Sequence, residues 1–260
     1  MTQYSTILYE RRSREGRITL NRPHVRNAIN YDMEQEVKQA LREANADPEV
    51  RIIVITGAAP AFCSGIDLKQ HRGRTPPETR AHFESFYWGF HTTHRSLDKP
   101  TLAVLNGPAR EAGCTMAFMC DMIIAAESAS IGFPAIDRAI LPAFHLVHLP
   151  RIMGRLKAFE LCFSGTPISV REAERLGVIN QVVPDAELEA ATSAMVERFV
   201  NKSPAVMKLG REVFYRAMDM EFEKAIRTVG DVVSIVAGLE DSHEGIGAYI
   251  EKRDPRWKGK

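Results

Sequence analysis

A charged pair interrupts an otherwise small and apolar part of the chain. Arg110 and Glu111 lie between the apolar runs 100–105 and 114–120. A carboxylate at the start of a helix is favoured by the helix dipole, and in a cleft it can transfer a proton to or from a substrate. Glu111 is therefore the first candidate for acid–base chemistry, with a solvated or arginine-paired carboxylate as the structural alternative.

Other side chains could also transfer protons. Asp137 is adjacent to Arg138, and His145 lies in the apolar segment PAFHLVHLPR. An imidazole titrates near neutral pH and suits a general base. An ion pair for Asp137 and a packed, hydrogen-bonded ring for His145 are the structural alternatives. Glu84 and Tyr87 are weaker candidates, and so is His148.

Two loops could bring main-chain amides to a ligand. The segments GAAPAFCSGIDLKQ (57–70) and NGPAREAG (106–113) each follow a strand-like run and precede a helix-like one. Small residues let a backbone approach a ligand closely, and amides at a helix start lack partners within the helix. Either loop alone is compatible with ordinary turn chemistry. Together, on neighbouring strands, they could direct two amides at one oxygen, which is an oxyanion hole.

The elements that would position these loops alternate along the chain. The β-branched run VRIIVITG (50–57) is typical of a strand buried on both faces, and 101–105 is a second such strand. Apolar residues at helical spacing predict helices over 31–47 and 80–97. This alternation predicts an α/β fold with a parallel sheet and crossover helices. After about residue 187 the pattern is helical, so a core over 1–200 and a C-terminal helical region over 201–260 are expected.

Composition restricts the function classes. The 260 residues include 34 Lys plus Arg and 33 Asp plus Glu, a net charge of +1 that argues against a general nucleic-acid binder. No run approaches the roughly 20 apolar residues of a membrane span, and the N-terminus has no apolar signal core. None of the four cysteines has a C-x-x-C partner, so buried reduced thiols are expected rather than a metal site. These features favour a cytoplasmic protein.

Five segments, in order, carry a resemblance that covers nearly the whole chain. They are NRPHVRNAI, AFCSGIDL, NGPAREAGCTMAFMCDMIIAAESASIGFP, SGTPISVREAERLGVINQVVP and EGIGAYIEKRDPRWKG. They resemble the signatures of the crotonase, or enoyl-CoA hydratase/isomerase, superfamily. The resemblance implies a spiral β/α core, a C-terminal helical region for trimer formation, and an acyl-CoA thioester ligand. It implies no cofactor beyond the CoA moiety, and a homotrimer or dimer of trimers.

The resemblance also assigns roles to individual residues. It implies that the main-chain amides of Ile66 and Ala112 form the oxyanion hole. Family members usually have glycine at the position of Ala112, but an amide serves if the turn is kept. Asp67 fits a structural capping role better than a catalytic one. The resemblance implies contacts to the CoA substrate from His24, Val25, Arg26, Ser64, Asp67 and Leu68.

The chain departs from the family pattern at the acid–base positions. Thr115 and Ala135 stand where hydratases of the family carry two glutamates, and Ala143 stands where some isomerases carry an aspartate. Since neither threonine nor alanine can exchange protons near neutral pH, weak hydratase activity is expected. Glu111, Asp137 and His145 are then the candidates for a relocated acid or base.

Two function classes remain open. The first is an enzyme that stabilises a thioester enolate and performs isomerisation, hydrolysis or carbon–carbon bond cleavage; the second is an inactive acyl-CoA binder or scaffold. Glu111 is expected to face the substrate pocket or to brace a residue that does. Since a close carboxylate would destabilise an enolate, it is expected either to stand several ångströms from the oxyanion or to pair with Arg110 or Arg138. The aromatic segment HFESFYWGF (82–90), which includes Tyr87, suits either a packed core or a pocket wall for a bulky or cyclic acyl group.

Overall fold

The computed structural model of the protein describes residues 3–260, and a parallel sheet dominates it. The strands of this range, in chain order, are β1 (Ile7–Arg12), β2 (Glu15–Leu20), β3 (Ile52–Gly57), β4 (Thr101–Leu105), β5 (Ala109–Arg110), β6 (Met122–Ala126), β7 (Ser130–Gly132), β8 (Ile168–Ser169) and β9 (Gln181–Val183). The main sheet has the order β1-β2-β3-β4-β6-β9, and a smaller sheet has the order β5-β7-β8. In the main sheet only the β1–β2 hairpin is antiparallel.

Helices connect and cover these strands. They are α1 (Tyr31–Ala46), α2 (Pro76–Phe83), α3 (Gly89–Arg95), α4 (Ala112–Met119), α5 (His145–Met153), α6 (Arg155–Ser164), α7 (Val170–Arg175), α8 (Leu188–Val200), α9 (Pro204–Met218), α10 (Phe222–Ala237) and α11 (Glu240–Glu251). A π-helical turn, Glu84–Trp88, joins α2 to α3 without a break. Over residues 3–260, no helix is both long enough and apolar enough to span a bilayer.

The central strand β3 is buried on both faces, as its sequence predicts. Ile53 and Ile55 pack in the larger apolar cluster, which also contains residues of α1 and α4. Ile52 and Val54 belong to a second cluster that contains residues of α8. Successive side chains of a strand point to opposite faces, so the sheet is covered by helices on both sides. The predicted α/β architecture is therefore confirmed.

The C-terminal helices α9 to α11 extend beyond the sheet. Arg211 of α9 anchors this region to the core by donating to Asp121 at 3.0 Å and to the carbonyl of Leu97 at 2.7 Å. Several large apolar side chains on α10, including Phe222, Ile226 and Val233, are exposed in the single chain. The expected boundary between the core and the C-terminal helical region, after residue 200, coincides with the end of α8. The division into two regions stays a prediction.

Candidate active site

The loops that follow β3 and β4 interlock. Cys63 bridges to Ala109, and the N–H of Arg110 donates to the carbonyl of Cys63 at 2.9 Å. Gly65 adopts a φ of +100°, and a side-chain carbon there would stand 3.1 Å from Cβ of Glu111 and 3.2 Å from the carbonyl oxygen of Arg110. Only glycine fits this conformation and this spacing. The two loops therefore meet at Gly65, as two neighbouring strand ends should.

Two main-chain amides at this junction have no acceptor among the described residues. Ile29 donates to the carbonyl of Gly65, and Asp67 donates to the carbonyl of Ile29, so the N–H of Ile66 between them points away from Ile29. Ala112 is the first residue of α4, and its N–H has no acceptor within the helix. Across residues 3–260 neither amide finds a partner. A side-chain carbon on Gly65 would lie 3.7 Å from the nitrogen of Ala112, so the two unpaired amides belong to adjoining segments.

A cavity of about 250 Å³ adjoins this junction. Ser64, Ile66 and Leu68 of the first loop contribute to its wall, as does Glu111 of the second. Tyr87 of the π-helical turn and residues within the segment 134–141 also line it. The cavity combines apolar walls with one carboxyl group and two arginines, which is the composition of a small-molecule site.

Glu111 is held in the cavity wall by its main chain and by its carboxylate. Its φ of 48° is in the left-handed region, where residues other than glycine are uncommon. Its Oε1 accepts the N–H of Ala135 at 2.5 Å, and its carbonyl accepts the N–H of Thr115 at 2.9 Å. Burial raises the pKa of the Glu111 carboxyl to about 7, although the N–H of Ala135 and the charge of Arg138 act in the opposite direction. Near neutral pH this carboxyl can therefore both accept and donate a proton.

Neither neighbouring arginine forms an ion pair with Glu111. The Arg110 guanidinium points elsewhere and donates to the carbonyl of Ser130 at 2.8 Å and to its hydroxyl at 2.9 Å. Arg138 lines the cavity but donates to the carbonyl of Pro134 at 3.0 Å. Of the alternatives expected for Glu111, the ion pair with Arg110 does not form, because the arginine follows β5 toward β7 while the glutamate turns into α4.

His145 lies beside the cavity rather than in its lining. The ring is 2% exposed, and its Nε2 lies 3.1 Å from the carbonyl oxygen of Glu111 and 3.0 Å from the hydroxyl of Thr115. Since a carbonyl can only accept, we assign the ring proton to Nε2. Burial lowers the pKa of His145 to about 3, so the ring stays neutral. This environment does not favour His145 as a general base; the imidazole braces the backbone of Glu111 and is a positioning residue.

The remaining acidic candidates lie outside the cavity. Asp137 is exposed, and its carboxylate packs against Gly165, where an added Cβ would stand 2.6 Å from Oδ1. Glu84 is exposed and forms an ion pair with Arg80 at 2.8 Å. Tyr87, by contrast, lines the cavity, and burial together with the charge of Glu111 raises its pKa to about 12. The structure therefore brings Glu111 and Tyr87 together and leaves Asp137 and Glu84 apart.

The residues expected to contact CoA lie along the first loop and an adjoining turn. His24 and Val25 belong to a short helical turn, Pro23–Val25, and Arg26 follows it. Ser64 ties this turn to the loop by donating its N–H to the carbonyl of Arg26 at 3.0 Å. His24 and Arg26 are exposed at this edge of the molecule.

Asp67 has structural partners. It accepts the N–H of Lys69 at 3.2 Å, which caps the turn Leu68–Gln70, and it pairs with Arg22 at 3.1 Å. Both oxygens of its carboxylate are therefore engaged within the protein. This geometry agrees with a structural capping role for Asp67. The next residue, Leu68, lines the cavity.

Comparison with known proteins identifies the family. The model of the enoyl-CoA hydratase/isomerase family matches residues 12–260. The chain belongs to this family. A probable enoyl-CoA hydratase of Mycobacterium bovis is 35% identical over 98% of both chains. The 2,3-dehydroadipyl-CoA hydratase of Escherichia coli is 30% identical and covers 98% of this chain and 100% of its own.

Solved structures of the enoyl-CoA hydratase/isomerase family share the fold. An enoyl-CoA hydratase of Mycobacterium smegmatis superposes with a TM-score of 0.92 at 30% identity, covering 97% of this chain and 99% of its own. One from Bacillus anthracis gives a TM-score of 0.91 at 30% identity over 98% and 100% of the two chains. The crotonase fold is thereby confirmed, and the protein is a family enzyme that acts on acyl-CoA.

Part of the cavity wall is not predicted by the sequence. Ile140 and Leu141 line the cavity and are 37% and 58% exposed. They lie in a segment without helical or strand periodicity, AILPAF (139–144). The sequence feature that could have identified them is an apolar run without helical or strand periodicity. Exposed apolar side chains in such a run often contact a ligand or a partner.

Proposed function

We propose that this enzyme is an enoyl-CoA isomerase that works with a single carboxyl group. The main-chain amides of Ile66 and Ala112 would bind the thioester oxygen, and Glu111 would move a proton between two carbons of the acyl chain. The observation that carries this proposal is the position of the Glu111 carboxyl, which lines the cavity, touches the main chain of Ala135 and has a pKa of about 7.

Isomerisation requires one group that takes up and then returns the same proton. In a 3-enoyl thioester, ionised Glu111 would remove a proton from the α carbon, leaving a dienolate whose negative charge lies on the thioester oxygen. The two amides stabilise that charge. Protonated Glu111 would then deliver the proton to the γ carbon, giving the 2-enoyl thioester with no net gain or loss of atoms. A pKa near the working pH suits both halves of this cycle.

Addition of water makes a greater demand on the site. It requires one group to activate the water and a second to protonate the α carbon. The hydroxyl of Thr115 lies beside His145 and the carbonyl of Glu111, and Ala135 offers only its main chain. Hydration by Glu111 alone is the second candidate function, because the relatives named above are described as hydratases. Hydrolysis or carbon–carbon bond cleavage would use the same carboxyl and the same two amides.

The ligand and the assembly follow from the same family reasoning. Exposed His24 and Arg26 adjoin the first loop, where basic groups would suit the phosphates of CoA. The exposed apolar side chains of α10 would be covered in a trimer or a dimer of trimers. Both statements are part of the proposal, with an acyl-CoA thioester and further copies of this chain as partners.

The test compares product formation by the parent, by Glu111→Gln and by a matched surface variant. Purified protein is incubated with 3-hexenoyl-CoA and with 2-hexenoyl-CoA, and the products are separated by chromatography and weighed by mass spectrometry. Glu111→Gln should bind butanoyl-CoA about as well as the parent but isomerise at least about 10²-fold more slowly. Glu160→Gln, which removes an exposed carboxylate paired with Lys157, should behave as the parent does.

The alternatives give distinct results. Unchanged isomerisation by Glu111→Gln would exclude Glu111 as the base. Release of free CoA or a 3-hydroxyacyl product instead of an isomer would assign hydrolysis or hydration. Tight binding without any product would identify an inactive acyl-CoA binder.

A further inference from the structure

A buried ion pair lies on α1, outside the lining of the cavity. Glu34 and Lys38 are 2% and 6% exposed, and the ammonium of Lys38 lies 2.8 Å from Oε1 of Glu34. Charges lose their hydration on burial, so replacing a buried ion pair by apolar side chains of similar volume is often neutral or stabilising. Stability alone therefore does not account for this pair, and its contacts outside α1 indicate what else it does.

Both members of the ion pair bind the same residue of the π-helical turn. The hydroxyl of Ser85 donates to Oε1 of Glu34 at 2.5 Å, and the ammonium of Lys38 donates to the carbonyl of Ser85 at 3.3 Å. The ammonium also lies 5.8 Å from the centroid of the Phe90 ring. Ser85 is thereby held through its side chain and its main chain by residues 51 and 47 positions away in the sequence.

The location of the π-helical turn is not dictated by the helix alone. In this turn the N–H of Gly89 donates to the carbonyl of Glu84, five residues earlier rather than four. The helical segment from α2 to α3 is continuous, so the extra residue could be taken up at another of its turns. Moving it by one turn would rotate the side chains in between by about 100° about the helix axis. The contacts to Ser85 stabilise one of these arrangements.

Tyr87 is the residue through which the turn reaches the candidate active site. It belongs to the turn, lines the cavity beside Glu111, and stacks on Phe144 with ring centroids 6.4 Å apart. Its hydroxyl forms no hydrogen bond to any described residue, so the course of the helix decides where the ring lies. The charge of Glu111 contributes to raising the pKa of Tyr87 to about 12, so the two side chains share one electrostatic environment. Rotation of the turn would withdraw Tyr87 and admit water to Glu111.

We propose that Glu34 and Lys38 are positioning residues of the active site. By binding Ser85 they keep the π-helical turn in its place, and the turn keeps Tyr87 in the cavity wall. There Tyr87 excludes water from Glu111. This inference rests on the proposed function, because it takes the cavity to hold the thioester and its carboxyl group to move the proton.

A charged pair can do what apolar side chains in the same space cannot. Apolar side chains at positions 34 and 38 would pack against any turn of the facing helix, because their contacts have no direction. A carboxylate and an ammonium need a donor and an acceptor, and Ser85 presents both at one point of the helix. The pair therefore fixes the register between α1 and the segment 76–95, which is a role attested for buried polar groups.

The principal variant removes the whole ion pair. Glu34→Leu combined with Lys38→Met leaves no single charge buried without a partner, so this double variant should unfold at about the temperature of the parent. The matched control is Lys157→Met combined with Glu160→Leu, the same exchange at a surface ion pair. Ser85→Ala is a milder variant, because it keeps the ion pair and removes only the hydroxyl.

The first measurement is the crystal structure of the double variant. We expect the π-helical turn to leave Glu84–Trp88 and Tyr87 to leave the cavity wall. This measurement depends on neither the substrate nor the reaction.

The second measurement is the pH dependence of kcat/KM for isomerisation of 3-hexenoyl-CoA, which reports the pKa of the base in the free enzyme. The base must be ionised, so the rate of the parent should rise with pH and level off above about 7. The double variant should show an apparent pKa lower by at least about one unit, because water that reaches Glu111 removes part of the burial that raises its pKa. Asp137 and Arg138 are the charged groups that also act on Glu111, and neither lies in the turn.

Two comparisons separate positioning from a general loss of stability. The surface control should keep the apparent pKa of the parent, whereas Ser85→Ala should lower it in the same direction as the double variant does. Tyr87→Ala should also lower it, and removal of the ion pair from Tyr87→Ala should lower it no further. Such non-additivity is expected only if the pair acts through Tyr87.

Two outcomes would overturn the inference. A double variant that keeps the π-helical turn in place, with Tyr87 in the wall, would show that the helix itself sets the location. An apparent pKa that the double variant and Ser85→Ala share with the parent would show that the burial of Glu111 does not depend on these contacts. Failure of the parent to isomerise 3-hexenoyl-CoA would overturn the proposed function instead, and the crystal structure of the variant would still decide whether the pair positions the turn.

Discussion

Replacing Glu111 by glutamine should stabilise the protein at alkaline pH and not at acid pH. The carboxyl of Glu111 is largely buried, and burial is the principal cause that raises its pKa from 4.5 to about 7. Glutamine has nearly the same shape, keeps an oxygen that can accept the N–H of Ala135, and has no charge to bury. The substitution therefore isolates the cost of ionising this one group.

The sign and size of the effect follow from linkage. A folded-state pKa above the unfolded value means that the folded protein holds the proton more tightly, so stability is highest below pH 4.5 and falls as pH rises through about 7. At about 1.4 kcal/mol per pKa unit the full difference is about 3 kcal/mol, and partial exposure of the side chain reduces it to about 2–3 kcal/mol. For a chain of this size that corresponds to about 5–10 °C in the unfolding midpoint.

The assay is thermal unfolding of the parent and Glu111→Gln, each at pH 5 and pH 8 and at one protein concentration. The difference in unfolding midpoint between the two proteins is taken at each pH, and the value at pH 5 is subtracted from the value at pH 8. Any effect of the amide that does not depend on pH then cancels. We expect the variant to gain about 5–10 °C relative to the parent between these pH values. A difference that does not change with pH would refute the reasoning and would mean that Glu111 is ionised without cost.

Three further predictions concern other parts of the molecule. Crotonyl-CoA hydration, followed by loss of absorbance of the conjugated thioester, should be at least about 10³-fold slower than in a family hydratase with two carboxylates, and ordinary turnover would contradict the one-carboxyl site. Gly113→Ala should destabilise the protein by about 1–3 kcal/mol, because its Cβ would stand 2.5 Å from the carbonyl oxygen of Cys63, whereas Gly210→Ala, which meets nothing within 4 Å, should not; equal unfolding midpoints would refute this. If α10 forms the contact in the proposed trimer, Ile226→Asp should shift the protein toward monomers in sedimentation, and an unchanged assembly would place the contact elsewhere.

The sheet could be predicted from the sequence because its determinants are local. The run 50–57 is β-branched throughout, and the structure buries it between two layers of helices as β3. The strand β1 was not predicted, because its segment, ILYERR, has exposed polar residues and is a strand only by pairing with β2. Edge strands depend on such pairing more than on their own residues.

The site could be predicted only in part, because chemistry depends on contacts that are distant in sequence. Glu111 was identified from its place at the mouth of a helix, and the structure puts it in the cavity wall. Nothing near Glu111 in sequence shows that its carboxylate would accept the N–H of Ala135, which is 24 residues away. His145 illustrates the opposite case. An imidazole is a common general base, but burial lowers the pKa of this one so far that it does not take up a proton near neutral pH.

The π-helical turn at Glu84–Trp88 has a consequence for how this site could diversify. A π turn contains one residue more than the α-helical turn it replaces. Because the turn takes up the extra residue, deleting one residue there, such as Ser85, would restore a regular α-helix while α2 and α3 on either side keep their orientation. Only the side chains of the turn itself would change position, and Tyr87, which lines the cavity beside Glu111, is one of them. A one-codon insertion or deletion is thus a route by which one wall of the cavity could be reshaped without disturbing the rest of the helix.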